Sequence, residues 1–390
     1  RTAQLYEKTR GLPVVRMGTR PAIRESELRA WQVAGLQYPA WWERVPVLQA
    51  WALTVTVLLL VASAGWWWMW RTTRGFGDPA GLQWNGSILT AYDAKSRPLW
   101  SREFPYPATS PAEWNSIHSR ILDLDQDGQA EIVLAYSHIN METQGLDLYC
   151  LSAKGGDKWR YAVGRDVANR SQTFRPPYVL RQFRVFPSPE KDGRWWVAAV
   201  FVHHNNYPSV LVVLDSGGKV RGEYWHAGHL NAVLAQDLDG DGITEIVAGG
   251  VRHGAEQAVL VVFDPRNVHG TSQIGDTHVR QIQGMGRGTE KAVVYFPRSA
   301  MNRRLEQFNF VNSLAWVNGE IEATVYERLG AQSGYLVYTL GKDLSVRGLL
   351  PSVSYQDAAQ ALFAGRSDLE KALVAGELEK MKGEVRVERR

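Results

Sequence analysis

The sequence predicts a mainly β fold for the larger part of this chain, and three observations support that prediction. Short β-branched runs, EIVLA at 131–135 and EIVAGG at 245–250, are bounded by glycine or polar residues, as buried strands are. The same acidic pattern precedes both runs. The chain carries 36 glycines and 16 tryptophans, which suits a fold rich in turns. With 390 residues and 45% hydrophobic content, it can bury a large core and form two or more domains.

Charge and cysteine content narrow the classes of function. The formal net charge is +4, so no overall field marks the whole chain as a nucleic-acid binder. The basic excess lies in the first 44 residues, which hold eight Lys or Arg against four Glu. A single cysteine, Cys150, excludes an intramolecular disulfide framework and a zinc site built from cysteines.

The segment 1–35 predicts a small α+β unit in the order helix, turn, short hairpin, helix. Residues 2–9 are compatible with a helix, Gly11 and Pro13 end it, and Gly18 and Thr19 form a turn. These residues resemble the second half of a winged helix-turn-helix of the MerR or excisionase type. The resemblance implies contacts to DNA from Arg1, Gln4, Lys8, Arg10, Arg16, Arg20 and Arg24. The alternative interpretation is a basic segment held to anionic lipid.

A membrane span is predicted between two borders rich in tryptophan. The stretch 45–70 contains no charged residue, and a helix needs about 20 predominantly apolar residues to cross the hydrocarbon core. Tryptophans at both ends match an interfacial aromatic belt. We therefore expect a linker at 36–45 and a single transmembrane helix at 46–70. The N-terminus is expected in the cytoplasm, and the β-rich part in the periplasm or at the cell surface.

Each acidic stretch places carboxylates at alternate positions of a tight loop. ILDLDQDGQAEIV (121–133) returns as AQDLDGDGITEIV (235–247). Calcium takes six to eight oxygen ligands, which such a loop offers at positions 1, 3, 5, 7 through a backbone carbonyl, and 9. The sequence predicts two Ca²⁺ sites. Their expected ligands are Asp123, Asp125, Asp127, Gln129 and Glu131 in the first loop, and Asp237, Asp239, Asp241, Ile243 and Glu245 in the second.

These loops are not EF-hands, because position 12 is Leu134 or Ala248 and a strand follows instead of a helix. The pattern D-x-D-x-D-G-x-x-E-I-V after a short apolar strand resembles the FG-GAP repeat, which is integrin α-like and VCBS-type. The resemblance implies a calcium-binding β-propeller over 75–350, with the ions in hairpin loops. Degenerate copies at 183–202 and 308–327 suggest about five blades. The first blade is expected to be completed by strand exchange, and a helical tail is predicted at 355–390.

No catalytic motif is found, so the chain is predicted not to be an enzyme. His226 and His229 are interpreted as structural or solvated residues rather than as metal ligands. The predicted function is a bacterial membrane-anchored protein whose propeller binds an extracytoplasmic protein or glycan, coupled to DNA through the N-terminal segment as a sensor or regulator. The alternatives are a surface adhesion or scaffold module without DNA binding and, less favoured, an extracytoplasmic propeller enzyme.

Overall fold

The structure is a computed structural model, and it forms two compact units, Arg1–Phe76 and Gly77–Arg390. The described residues are 15–17, 20–22, 24–35, 47–73, 77–108, 119–138, 145–204, 207–272, 281–305, 308–329, 332–362 and 367–390.

In the first unit, the described residues form one short hairpin and two helices. Strands β1 (Val15–Met17) and β2 (Arg20–Ala22) pair antiparallel. Helix α1 spans Glu25–Gly35, and helix α2 spans Val47–Thr73.

The predicted membrane span is corrected by this structure. Among the described residues, no helix is both long enough and apolar enough to cross a membrane. The single-pass topology is therefore not supported, nor is the assignment of the two parts of the chain to opposite sides of a membrane.

The second unit is built from five antiparallel meanders, numbered here in chain order. Meander 1 comprises β3 (Gly81–Asn85), β4 (Ile88–Tyr92) and β5 (Pro98–Glu103). Meander 2 comprises β6 (Ser119–Leu122), β7 (Glu131–His138), β8 (Gly145–Leu151) and β9 (Asp157–Tyr161). A two-stranded hairpin follows, β10 (Val167–Ala168) and β11 (Thr173–Phe174).

The other three meanders have four strands each in direct succession. Meander 3 comprises β12 (Tyr178–Pro187), β13 (Trp195–His203), β14 (Ser209–Leu214) and β15 (Val220–His226). Meander 4 comprises β16 (His229–Gln236), β17 (Glu245–Arg252), β18 (Gln257–Phe263) and β19 (Ala292–Tyr295). Helix α3 (Ala300–Arg304) precedes meander 5, which comprises β20 (Asn309–Val317), β21 (Glu320–Leu329), β22 (Gln332–Leu340) and β23 (Val346–Pro351).

The end of the chain contains both helices and a strand. Helix α4 spans Val353–Leu362, and helix α5 spans Ser367–Glu384. Strand β24 (Arg386–Arg389) then pairs antiparallel with β19 and becomes the edge strand of meander 4. The helical periodicity of this segment did not indicate that strand.

Consecutive meanders bury their faces against each other. Strand β14 is buried at every position because both of its faces are covered. Val212 belongs to a core cluster shared with Val133 of meander 2, whereas Val213 belongs to a cluster shared with Val261 of meander 4. Burial on both faces explains its unbroken apolar sequence, which a strand with one wet face would not have. Separate clusters join meander 1 to 2 and meander 4 to 5.

The predicted closed propeller is wrong. The described strands form six separate sheets, and none of them closes. Meanders 2 and 3 share one sheet through a parallel contact between β8 and β12. The expected strand exchange in meander 1 is not formed, because the late strand β24 pairs with β19 instead. No core cluster of described residues joins meander 5 to meander 1.

Candidate cation-binding loops

The two acidic stretches form hairpin loops at equivalent places in two meanders. Loop 1 (123–131) connects β6 to β7 in meander 2, and loop 2 (237–245) connects β16 to β17 in meander 4. Each loop is thus held by the first two strands of its meander. The strand pairs that flank it, Leu122↔Glu131 and Gln236↔Glu245, are in the same register.

Both loops turn sharply with the backbone in the left-handed region at two positions. The later position is glycine in both loops, Gly128 (φ +85°) and Gly242 (φ +80°). The earlier position is Gly240 (φ +80°) in loop 2 but Gln126 (φ +65°) in loop 1. Glycine adopts this conformation without a steric penalty, and most other residues do not. Loop 2 is therefore the less strained of the two.

The first aspartate of each loop accepts a hydrogen bond from a backbone amide on the far side of the turn. Asp123 Oδ2 accepts a hydrogen bond from the Gly128 amide at 2.9 Å, and Asp237 Oδ2 accepts one from the Gly242 amide at 3.1 Å. The middle aspartates, Asp125 and Asp239, each accept from the amide two residues later. The two loops therefore make the same hydrogen bonds between equivalent atoms.

Most predicted ligands come together in space. Side-chain oxygens of Asp123, Asp125 and Asp127 lie within 4.8 Å of one another in loop 1. In loop 2 the corresponding group contains Asp237, Asp239 and Glu245. Asp241 is exposed, and its carboxylate accepts from the Ile243 amide at 2.7 Å. The Gln129 amide makes the equivalent bond to Asp127 at 2.8 Å in loop 1.

The glutamate at position 9 is the most buried carboxylate of each loop. Glu131 is 1% exposed and Glu245 is 2% exposed. Glu131 Oε2 accepts from the Leu124 amide at 2.8 Å, and Glu245 Oε2 accepts from the Leu238 amide at 2.9 Å. These bonds fix the start of β7 and of β17 against the loop. The other carboxylate oxygen of each glutamate, Oε1, accepts a hydrogen bond from a lysine.

A lysine from the same meander forms ion pairs with each group of carboxylates. The sequence analysis did not predict either lysine. Lys158 Nζ lies 2.7 Å from Asp125 Oδ2 and 2.9 Å from Glu131 Oε1. Lys291 Nζ lies 3.0 Å from Asp239 Oδ2 and 2.8 Å from Glu245 Oε1. Lys158 is the second residue of β9, and Lys291 directly precedes β19. The feature of the sequence that could have predicted these contacts is a lysine near the start of the fourth strand in both meanders.

The resolved pKa shifts of the carboxylates differ in direction between the two loops. Burial raises the pKa of Glu131, and the hydrogen bonds from Lys158 and the Leu124 amide offset only part of that effect. Burial alone would lower the pKa of Lys158, but its hydrogen bonds to Asp125 and Glu131 raise it instead. In loop 2 the hydrogen bond from Lys291 lowers the pKa of Asp239.

The corresponding loop of meander 3 lies between loops 1 and 2. It spans 188–194 and retains Asp192 and Gly193 but not the alternating aspartates. Gln126 of loop 1 donates to the Gly193 carbonyl at 2.5 Å. The amide of Trp195, at the start of β13, donates to the Leu124 carbonyl at 3.0 Å. The three hairpin loops therefore share one end of the stacked meanders.

The histidines noted in the sequence lie at the other end of meanders 3 and 4. His226 ends β15 and is 2% exposed, and its Nε2 donates to the Val251 carbonyl oxygen at 2.9 Å. Burial lowers the pKa of His226 to about 4 and that of His229 to about 3. Among the described residues, histidine belongs to no group with the geometry to hold a metal ion.

The predicted DNA-binding residues are only partly described. Arg1, Gln4, Lys8 and Arg10 lie outside the described residues. Arg16 lies in β1 and Arg20 in β2, and Arg24 is exposed directly before α1. DNA binding by this segment therefore stays a prediction.

Fold and loops together define a mainly β protein of stacked antiparallel meanders with two matching acidic hairpin loops. No protein-family model and no curated protein sequence matches the chain. It is similar to a solved protein of unknown function from Bacteroides caccae, at 12% identity and a TM-score of 0.27, covering 70% of this chain and 94% of that chain. It is also similar to a member of the DUF4221 family from Bacteroides vulgatus, at 8% identity and a TM-score of 0.20, covering 60% of this chain and 82% of that one.

These comparisons correct the family prediction. The chain matches neither the FG-GAP, VCBS-type repeat family nor the MerR or excisionase family, since no family model matches it. The acidic pattern that suggested the repeat family is real, but it occurs in a stack of meanders that is not closed.

Proposed function

We propose that the unit Gly77–Arg390 is a binding module stabilised by calcium, with one Ca²⁺ site in loop 1 and one in loop 2. The observation that carries this proposal is that both loops make the same four hydrogen bonds from backbone amides to equivalent carboxylates, although the loops belong to different meanders. In both loops, equivalent aspartate oxygens accept from equivalent amides, and the position-9 glutamate is buried against the second loop residue.

The donor chemistry fits calcium. Calcium prefers carboxylate and carbonyl oxygens, and it tolerates the irregular geometry of a flexible loop. The side chains that would hold the ion are Asp123, Asp125 and Asp127 in loop 1, and Asp237, Asp239 and Glu245 in loop 2. Asp123 Oδ1 is buried without a hydrogen-bond partner, which favours an ion at this position because a buried oxygen without a partner is costly.

The charge of each loop also supports a cation. Loop 1 carries four carboxylates, on Asp123, Asp125, Asp127 and Glu131, and among the described residues a single ammonium group, that of Lys158, contacts them. Gathering like charges in a partly buried loop is unfavourable unless a counter-charge is added. A bound Ca²⁺ would supply that charge and tie the first hairpin of the meander together.

A binding or scaffold role fits this arrangement better than catalysis. The carboxylates are used for hydrogen bonds to their own loop, and the sequence carries no recognised nucleophile motif. The expected partner is a protein or glycan, as proposed from the sequence. A second candidate function, DNA binding, is favoured only by the basic N-terminal segment.

The test is a calcium titration of the full chain by calorimetry, with the melting temperature followed in parallel. We expect two sites in the wild type and one in each of the variants Asp125→Ala and Asp239→Ala. Calcium at about a hundred times its dissociation constant should stabilise the protein by about 2.7 kcal/mol per site. Asp166→Ala, an exposed aspartate outside both loops, is the matched control and should retain two sites. Absence of binding heat, with a melting curve that excess chelator does not change, would refute the proposal.

A further inference from the structure

Loops 1 and 2 each receive a lysine from the same position in the meander. Lys158 reaches loop 1 from β9, and Lys291 reaches loop 2 from the residue before β19. Both strands are the fourth of their meander, whereas the loop connects the first strand to the second. Each ammonium group contacts the same two ligand positions, namely the middle aspartate and the buried glutamate.

Meander 3 has a basic residue at this position too. Arg221 is the second residue of β15, the fourth strand, and its side chain lies 3.7 Å from Glu190 in the loop that connects β12 to β13. That loop lacks the alternating aspartates, and Arg221 makes its shorter ion pair with Asp215 at 2.8 Å. A basic side chain directed to the first loop is therefore a feature of the meander, and the acidic loops have it in the form of lysine.

We infer that Lys158 and Lys291 are tethered counter-ions that compete with calcium and thereby set the calcium affinity of loops 1 and 2. This inference rests on the proposed function. The ammonium group occupies carboxylates that a calcium ion would need, Asp239 and Glu245 in loop 2 and Asp125 in loop 1. Ammonium and Ca²⁺ repel each other at such distances. Calcium therefore binds only when the lysine leaves.

The competition differs between the loops. Lys158 lies within 4.0 Å of three carboxylates, since Asp127 Oδ2 is also 3.7 Å away, and its side chain is 27% exposed. Lys291 pairs with two carboxylates and is 41% exposed. The lysine in loop 1 is therefore held more tightly, and loop 2 takes up calcium first.

The experiment measures calcium affinity of the full chain after the ammonium group is removed. Lys158→Met and Lys291→Met keep an unbranched apolar side chain but lose the charge. A loop whose lysine occupies the carboxylates nine-tenths of the time binds calcium with an apparent affinity reduced about tenfold, so each variant should bind calcium about tenfold more tightly at its own loop. Lys154→Met removes an exposed lysine from the turn between β8 and β9, and it should leave both affinities unchanged.

A second variant separates charge from folding. Lys158→Arg keeps a positive charge beside loop 1, so its affinity for calcium should stay below that of Lys158→Met. Melting curves without calcium establish that each variant is folded. An affinity that is unchanged or weaker in Lys158→Met and Lys291→Met, in a wild type that binds calcium, overturns the competition and leaves the proposed function standing.

The proposed function can also fail while the inference about the lysines stands. If the wild type binds no calcium but the lysine variants do, the lysines exclude calcium as inferred, and the proposed function of the wild type is wrong. If neither binds, both proposals are overturned.

Discussion

The hairpin of β16 and β17 has two ends of opposite chemical character. One end is loop 2, where Asp239 is exposed and paired with Lys291 at 3.0 Å. At the other end, His229 opens β16 opposite Val251, and the Val251 carbonyl oxygen accepts from the buried ring of His226. The difference shows that burial keeps two histidines neutral at one end, whereas carboxylates at the other end are paired with a lysine.

Two glycines of this hairpin should give the largest difference between its ends. A Cβ added to Gly250, at the histidine end, would lie 1.9 Å from the His229 carbonyl oxygen. Since that contact is with backbone, which cannot move away cheaply, Gly250→Ala should destabilise the protein by about 3 kcal/mol or more. The measurement is chemical denaturation in chelator.

Gly240→Ala, in loop 2, is the matched variant. Gly240 has φ +80°, but a Cβ there would meet nothing within 4 Å. Only conformational strain opposes the substitution, so we expect a loss of about 1 kcal/mol. Equal losses for the two variants would mean that the close approach at Gly250 does not constrain the fold.

Removal of the buried carboxylate of loop 2 should have the next largest effect. Glu245→Ala leaves the Leu238 amide without its acceptor, and the Lys291 ammonium group keeps only its pair with Asp239. We expect a loss of about 2–3 kcal/mol in chelator, because a buried amide loses its acceptor. Asp241→Ala, which removes an exposed carboxylate of the same loop, should cost less than about 1 kcal/mol. If both variants lose the same free energy, burial does not distinguish the two carboxylates.

The histidine end should make stability depend on pH. Burial lowers the pKa of His226 from 6.5 to about 4. As pH falls below 6.5 the unfolded chain takes up a proton that the folded chain does not, so the stability present above that pH is lost progressively until about pH 4. The free energy of unfolding, measured between these pH values, should fall less steeply in His226→Gln than in the wild type.

His269→Gln is the control for this pH dependence, because His269 is exposed. Its pH profile should match that of the wild type. A wild-type slope that persists in His226→Gln would assign the acid sensitivity to other groups.

The acidic loops could be predicted from the sequence because their chemistry is local. Asp123, Asp125 and Asp127 alternate within five residues, and the structure brings their oxygens together. Gly128 and Gly242 directly follow the alternating aspartates in both copies of the pattern, and they have positive φ at the sharp turn. The strand runs after each loop were also predicted, since β7 and β17 begin at Glu131 and Glu245.

The predicted closed propeller failed because it concerned relations between distant segments, whereas the predicted membrane span failed on a single helix. A run without charge suggested a span, and a repeated loop suggested a closed ring, yet the ring depends on which strands pair at the ends of the chain. Strand β24 pairs with β19, a partner that no local pattern specifies.

By itself the sequence determined the strands, the turns and the two acidic loops, because these follow from propensity and spacing over a few residues. Only the tertiary structure decided which basic side chains contact the acidic loops. Lys158 is 27 residues from Glu131, and Lys291 is 46 residues from Glu245. Their contacts depend on the pairing of four strands in each meander. The burial of His226 was decided in the same way, because its environment comes from the packing of meander 3 against meander 4.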